Sequence, residues 1–183
     1  MKIRKKTFGF DDLLLVPAYS TIESRSNVDV SVDLAGIRLG CPVVSSNMDT
    51  VTEAEMATAM ELLGGLGIIH RYLSPEARLG QLEKVRQLRH RAFAVGVTRD
   101  EIAFAKQLID GGANAICLDV AHGHSSMMER ALGELRAYAD KVTRARFAPL
   151  LRPVFIAGNV ATPEGAADLA KWGADVLKVG IGP

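Results

Sequence analysis

The stretch Asp119-Val120-Ala121-His122-Gly123-His124-Ser125 sets a carboxylate, two imidazoles and a hydroxyl around a glycine, directly after an apolar run. A carboxylate ending a strand, with open backbone amides beyond it, suits ribose hydroxyls or a nicotinamide amide. The same residues also serve a purely local role, in which Asp119 satisfies the loop and Ser125 caps the helix that follows. His122 and His124, two residues apart and without a nearby third ligand, do not compose a metal site, which needs three or four converging donors.

Four further groups carry chemistry. Ser45-Ser46-Asn47-Met48-Asp49-Thr50 offers either ligand contact around Met48 or capping of the next helix by Thr50 or Thr52. His70-Arg71 ends an apolar run, where Arg71 either clamps a phosphate or carboxylate or is merely solvated. Lys178 sits inside an apolar strand and needs a carboxylate or a ligand, structural pairing being the simpler account. Gly180-Ile181-Gly182 opens a glycine loop in which backbone approaches a ligand closely. Ser24-Arg25-Ser26 alone is a polar turn. Cys41 and Cys117 lie in apolar runs away from these groups, and neither is a candidate nucleophile. No Gly-x-Ser-x-Gly elbow or complete P-loop occurs.

The elements that position these residues alternate in kind. Short apolar runs at Pro42–Asn47, Gly67–His70, Ala92–Val97, Ala115–Ala121, Val154–Asn159 and Val176–Gly180 read as strands, separated by helix-period segments. Helix starts are explicit. Thr98-Arg99-Asp100-Glu101 has the form of a capping box, and Ser74-Pro75 and Thr162-Pro163 pair a cap with proline at the first helical position. Gly64-Gly65, Gly111-Gly112 and Gly173 close three helices. Residues 28–40 alternate around Ala35-Gly36 and predict a β-hairpin outside the repeat.

A parallel βα repeat fits both an open doubly wound sheet and a (β/α) barrel. The barrel is favoured because several strands carry small residues, DGGANAICLDVAHG and KWGADVLKVGIGP repeat one unit, and polar residues gather at the C-terminal end of nearly every strand. In barrel enzymes that rim is the active face. A closed barrel has eight strands in about 250 residues. The expectation is therefore one partial α/β barrel domain over residues 1–183, an incomplete TIM (β/α)8 barrel of six strands plus the hairpin. An isolated copy is expected neither to fold as a stable monomer nor to be active.

Composition limits the partners. Apolar residues at 48%, charged residues at 23% and a net charge of +1 are ordinary globular values, and no overall field recruits nucleic acid or anionic lipid. No run has membrane-spanning length. The basic start MKIRKK leads into two carboxylates, Asp11 and Asp12, where a signal peptide has an unbroken apolar core. A cytoplasmic protein is expected.

The chain resembles the IMP dehydrogenase and GMP reductase superfamily in FDDLLLVPAYS (10–20), SRSNVDVS (24–31), NMDTVTEAEMA (47–57), GGLGIIHR (64–71), LDVAHGHS (118–125), IAGNVATPEGA (156–166) and GADVLKVGIGP (173–183). The absence of a regulatory CBS module after the second helix, read as running to His90, makes the resemblance closest to GMP reductase. So do Ser24-Arg25-Ser26, Asn47 before Met48 and Leu118–Ala121. Thr50–Glu53 and Gly64–His70 are as much like the dehydrogenase.

This resemblance implies reductive deamination of GMP to IMP with NADPH, through a covalent thioimidate on a cysteine expected beyond Pro183. It implies Ser24, Arg25, Arg71, Asp119, Val120, Ala121, Ile181 and Gly182 as dinucleotide contacts, and Met48 and Asn159 as facing the purine nucleotide. It further implies the Gly182 carbonyl as a ligand of a potassium ion, and a homotetramer. Where Arg71 stands the family often has lysine, so a proton-relay role does not transfer with it. The alternatives are an IMP dehydrogenase using NAD, and a non-catalytic nucleotide-binding or subunit-interaction module.

Overall fold

A computed structural model describes residues 9–145 and 152–180. An exposed arm with short 3-10 turns at Phe10–Asp12 and Arg25–Asn27 leads into a hairpin of β1 (Val32–Leu34) and β2 (Ile37–Leu39). At its turn Ala35 and Gly36 both take left-handed backbone, φ 53° and 95°, the twist that joins antiparallel strands through two residues.

Six parallel strands then pair in strict chain order: β3 (Val44–Ser45), β4 (Leu66–Ile69), β5 (Ala92–Val95), β6 (Ala115–Asp119), β7 (Val154–Val160) and β8 (Val176–Val179). Helices α1 (Ala54–Leu62), α2 (Pro75–Lys84), α3 (Arg99–Asp110), α4 (Ser126–Ala145) and α5 (Pro163–Trp172) connect them. An order that never reverses has no switch point of the doubly wound kind, and the sheet curls as half of a barrel. The six strands and the hairpin stand where the sequence predicts them, and β3 and β8 form its two edges.

Side-chain size explains the curl. Within β5, β6 and β7 the outward positions Phe93, Val95, Ile116, Leu118 and Phe155 pack in one buried cluster with Leu108, Leu132 and Leu169 of the helices. The alternate positions Ala92, Ala94, Ala115, Cys117, Val154 and Ile156 form a separate inner cluster, joined by Ile37 and Leu39 of the hairpin. Small residues inside and large ones outside wrap the sheet around a narrow interior. A cavity of about 400 Å³, lined among others by Leu39, Val44, Leu66, Ile156 and Val176, occupies the concave face.

The helix starts follow the sequence at Ser74, Thr98 and Thr162, each of whose hydroxyls accepts from the backbone N–H three residues on. Three local expectations do not hold. Glu101 does not close a capping box, because its carboxylate accepts from Gly96 N–H and from Arg78 instead. Neither Thr50 nor Thr52 caps α1: Thr52 donates back to Ser46 O at 2.6 Å, and Gln81 of α2 accepts from Ala54 N at 2.9 Å. Helix α2 ends at Lys84, and turns rather than helix lead to His90.

Asp175 ties the far side of the sheet together. Its carboxylate accepts from Phe155 N at 2.8 Å and from Arg136 of α4 at 2.6 Å, while the Arg136 guanidinium lies 4.9 Å from the Phe155 ring centroid. Replacing Asp175 by alanine strands a buried N–H and a half-buried guanidinium. A loss of about 2–3 kcal/mol is expected in urea unfolding of Asp175→Ala against the parent chain.

Candidate functional site

Because the strands are parallel, their C-terminal ends share one face, and most of the residues singled out above stand there. Asp119 ends β6, Asn47 follows β3, Asn159 lies in β7 and Lys178 in β8. Three of these close a ring. Lys178 Nζ donates to Asp119 Oδ1 at 2.5 Å and to Asn47 Oδ1 at 3.0 Å, and Asn47 Nδ2 donates to Asp119 Oδ2 at 2.8 Å. Asn47 is buried, and Asp119 and Lys178 are 19% and 36% exposed.

The register shows how β6 and β8 reach each other past β7. Asp119 pairs with Gly158 and Gly158 with Lys178, so the lysine stem crosses the glycine to meet the carboxylate. A Cβ on Gly158 would stand 2.7 Å from Lys178 Cβ and 2.3 Å from its carbonyl oxygen, where no side chain fits. Sequence reasoning placed Lys178 as structurally paired and Asp119 on the rim. It had no signal joining them, since 59 residues separate the two and only the register makes them neighbours.

The neighbouring loop is stitched through its backbone. Val120 N donates to Gly158 O at 3.0 Å, Asn159 N to Val120 O at 2.7 Å and Gly123 N to Asn159 O at 2.8 Å. The Asn159 amide donates to Gly180 O at 2.7 Å, fixing the end of β8. Ala121 and Met48 are exposed beside this loop and the Asn47 turn. His124 pairs with Asp168 of α5 at 2.9 Å and tilts against Trp172, and Ser125 caps α4 through Met128 N. Among the described residues no three metal-ligating side chains gather.

Not every expected residue joins the rim. Ser24 caps the turn Arg25–Asn27 and bonds to Ser26 at 2.8 Å, and both it and Arg25 are exposed on the arm, with no hydrogen bond to the rim. Ile181 and Gly182 lie outside the described residues, and the cation ligand expected at Gly182 lies there with them. His70 turns inward: it is buried, accepts from Tyr72 N through Nδ1, and faces Glu53 at 3.5 Å. Cys117 is fully buried, and burial, with Asp119 adding to it, pushes its thiol up to about 12. It is no thiolate at neutral pH.

Beyond β4 and β5 a second cluster forms. Arg78, 4% exposed, forks onto Glu101 at 2.6 and 3.1 Å, and Gly96 N donates to the same carboxylate at 2.8 Å. Burial pushes the Glu101 carboxyl up, but the Arg78 fork, the Gly96 N–H and the charges of Arg78 and Arg71 outweigh it and hold the group below the ordinary glutamate range. Arg71 lies over Tyr72, 4.9 Å from its centroid, and its buried Nε has no partner among the described residues.

These positions match a known domain. Residues 7–183 fit the model of the IMP dehydrogenase / GMP reductase domain. The chain belongs to that family. It is 34% identical over 181 residues to a GMP reductase of Exiguobacterium sp., covering 97% of this chain and 52% of that protein. It is 36% identical to a GMP reductase of Lysinibacillus sphaericus, covering 96% and 51%. Among solved structures, an inosine 5′-monophosphate dehydrogenase from Legionella pneumophila superposes with a TM-score of 0.80 at 39% identity, over 94% of this chain and 50% of that one. The chain thus spans about half the length of the relatives it matches.

Two outcomes are expected. In a double-mutant cycle of Asp119→Asn and Lys178→Met, unfolding measurements should give a coupling of about 1–3 kcal/mol. Because the folded Glu101 carboxyl titrates low, its contribution is complete above the ordinary glutamate range and is lost as pH falls through the depressed folded value. Thermal midpoints should therefore drop across that acid window in the parent, and less in Glu101→Gln.

Proposed function

We propose that this chain is the dinucleotide-facing part of a GMP reductase, which converts GMP to IMP and ammonia at the expense of NADPH. The observation that carries the reading is Asp119, held at the rim by Lys178 and Asn47. The ammonium and the amide hold the carboxylate in one plane. Each oxygen keeps a further acceptor site for ribose hydroxyls or a carboxamide N–H. The guanidinium of Arg71, held against Tyr72, supplies a cation for the phosphates, so the residues present fit a dinucleotide. When bound, NADPH supplies the hydride.

In this reading Val120, Ala121 and Asp119 line the dinucleotide with Arg71, and Ser24 and Arg25 close on it from the arm. Ile181 and Gly182 complete the contacts, with the Gly182 carbonyl on a potassium ion. Met48 and Asn159 face the purine nucleotide. The nucleophile would be a cysteine outside residues 1–183: its thiolate would add to purine C2 with loss of ammonia, and hydride delivered to C2 would then let the C–S bond break and the thiolate leave, giving IMP, so one difficult substitution becomes two easier steps. Cys117, buried and protonated, does not serve. The complete enzyme is a cytoplasmic homotetramer, with no nucleic-acid or membrane partner.

The dehydrogenase reading stands on one specific finding, the 39% identity to the Legionella enzyme, against 34% and 36% to the two reductases. In that case IMP and NAD replace GMP and NADPH. Absorbance of the reduced nicotinamide separates the readings on a polypeptide extended through the family's cysteine segment. GMP-dependent NADPH oxidation is expected, and IMP-dependent NAD reduction would replace the first reading by the second. The 183-residue chain alone is expected to show no turnover. Steady GMP-dependent oxidation by it would overturn the assignment of the nucleophile, and binding of NADPH or a nucleotide by it without turnover would favour the non-catalytic nucleotide-binding or subunit-interaction module.

A further inference from the structure

The cluster beyond β4 and β5 gathers three charged side chains, Arg71, Arg78 and Glu101, around the Gly96 backbone, and its charges do not cancel. Glu101 spends both oxygens: Oε1 on Arg78 Nη2, and Oε2 on Arg78 Nη1 and Gly96 N. Arg78, stacked 4.1 Å from the Phe104 ring centroid and almost wholly buried, is neutralised by that fork. Arg71 remains. It makes no ion pair within 4 Å among the described residues, although its Nε is buried and its guanidinium is held against Tyr72. Arg78 and Arg136 also bury one unpartnered nitrogen each, but both have a carboxylate in contact; Arg71 alone of the three has none among the described residues, and an anionic ligand would supply it.

Gly96 shows that the arrangement is built around Arg71. A Cβ there would meet Glu101 Cγ at 3.3 Å and Arg71 Nη1 at 3.7 Å, so both side chains lie over the same bare backbone. Glu101 does not touch Arg71. It fixes the Gly96 peptide on which the guanidinium rests and supplies an attractive field from one side.

We infer that Glu101, locked by Arg78, is a positioning residue that sets Arg71 on the rim as a fixed oxyanion receptor, for the phosphate or pyrophosphate of a bound ligand. It rests on the reading of Arg71 as ligand-facing. A guanidinium stays charged at every accessible pH, so this position binds and orients and does not relay a proton. The planar fork suits two oxygens of one phosphate group, where an ammonium would offer a point charge.

The sign of one substitution separates positioning from simple charge. Glu101→Gln removes a negative charge near Arg71, which by charge alone should tighten anion binding; if Glu101 positions Arg71, binding should weaken. The measurement is a titration, with inorganic pyrophosphate, of the polypeptide extended to the length of its family relatives, followed at the arginine Nε–H resonances. Arg71 is assigned through Arg71→Lys, and the Arg78 resonance reports that the fork is intact. In the parent the Arg71 signal should shift and saturate. In Glu101→Gln and in Gly96→Ala, whose added Cβ crowds Glu101 Cγ at 3.3 Å and shifts that carboxylate by tenths of an ångström, affinity should fall about tenfold, the loss of one charged hydrogen bond.

An unmoved Arg71 signal in the parent, or tighter pyrophosphate in Glu101→Gln, would overturn the inference. A parallel NADPH titration keeps the two readings apart. Pyrophosphate at Arg71 with no NADPH binding would retain the receptor and remove the dinucleotide. NADPH binding that leaves Arg71 unmoved would do the reverse.

Discussion

The Lys178–Asp119 pair is the constraint on which the rim depends. In a flat sheet, strands two places apart are about 10 Å from each other, beyond easy reach of a lysine. Here the sheet curls toward its inner face, Gly158 leaves the intervening strand bare, and the ammonium crosses it to the carboxylate. Asn47 then draws in the loop after β3, the opposite edge of the sheet. One polar ring thereby spans the half-barrel and fixes its curvature where ligands meet it. The small inward residues Ala92, Ala94 and Ala115 make that curvature sterically available, and the ring sets its closure at the rim.

Much of this architecture was legible in the sequence, for reasons that differ by element. The parallel strands were legible because a strand covered on both faces must be apolar throughout, as β5 is, and as β6 is up to Asp119 at its end. The hairpin showed through its period-2 alternation and Ala35-Gly36, and the helix starts through hydroxyls placed before proline or acidic residues. These are local signals, readable within a few residues.

Where tertiary contacts competed with local ones, sequence reasoning failed in a consistent direction. Glu101 has the spacing of a capping box, yet a buried guanidinium and a strand-end N–H outbid the helix start for its carboxylate. Thr52 sits where a cap belongs, but its buried hydroxyl bonds to Ser45 Oγ and Ser46 O, leaving α1 to be capped by Gln81 from the next helix. In both cases a buried donor, the Arg78 guanidinium or the Thr52 hydroxyl, takes a tertiary acceptor over the local cap, as the cost of an unpaired buried donor dictates. The family motifs located Asp119, Asn159 and Arg71 but not the residues that hold them, because Lys178, Gly158 and Gly96 act through register and close approach.

The two cations of the rim have opposite fates, and that difference gives the face its sign. Lys178 is consumed by Asp119, and Arg78 by Glu101, so each pair presents a dipole and no net charge. Arg71 has no such partner among the described residues. In a chain whose net charge is only +1, attraction for an anionic ligand cannot come from the whole molecule and must come from a local imbalance of this kind. Lys178 and Arg78 being paired internally, a guanidinium left without a counter-charge would favour a ligand that places its anionic group at one point in one orientation.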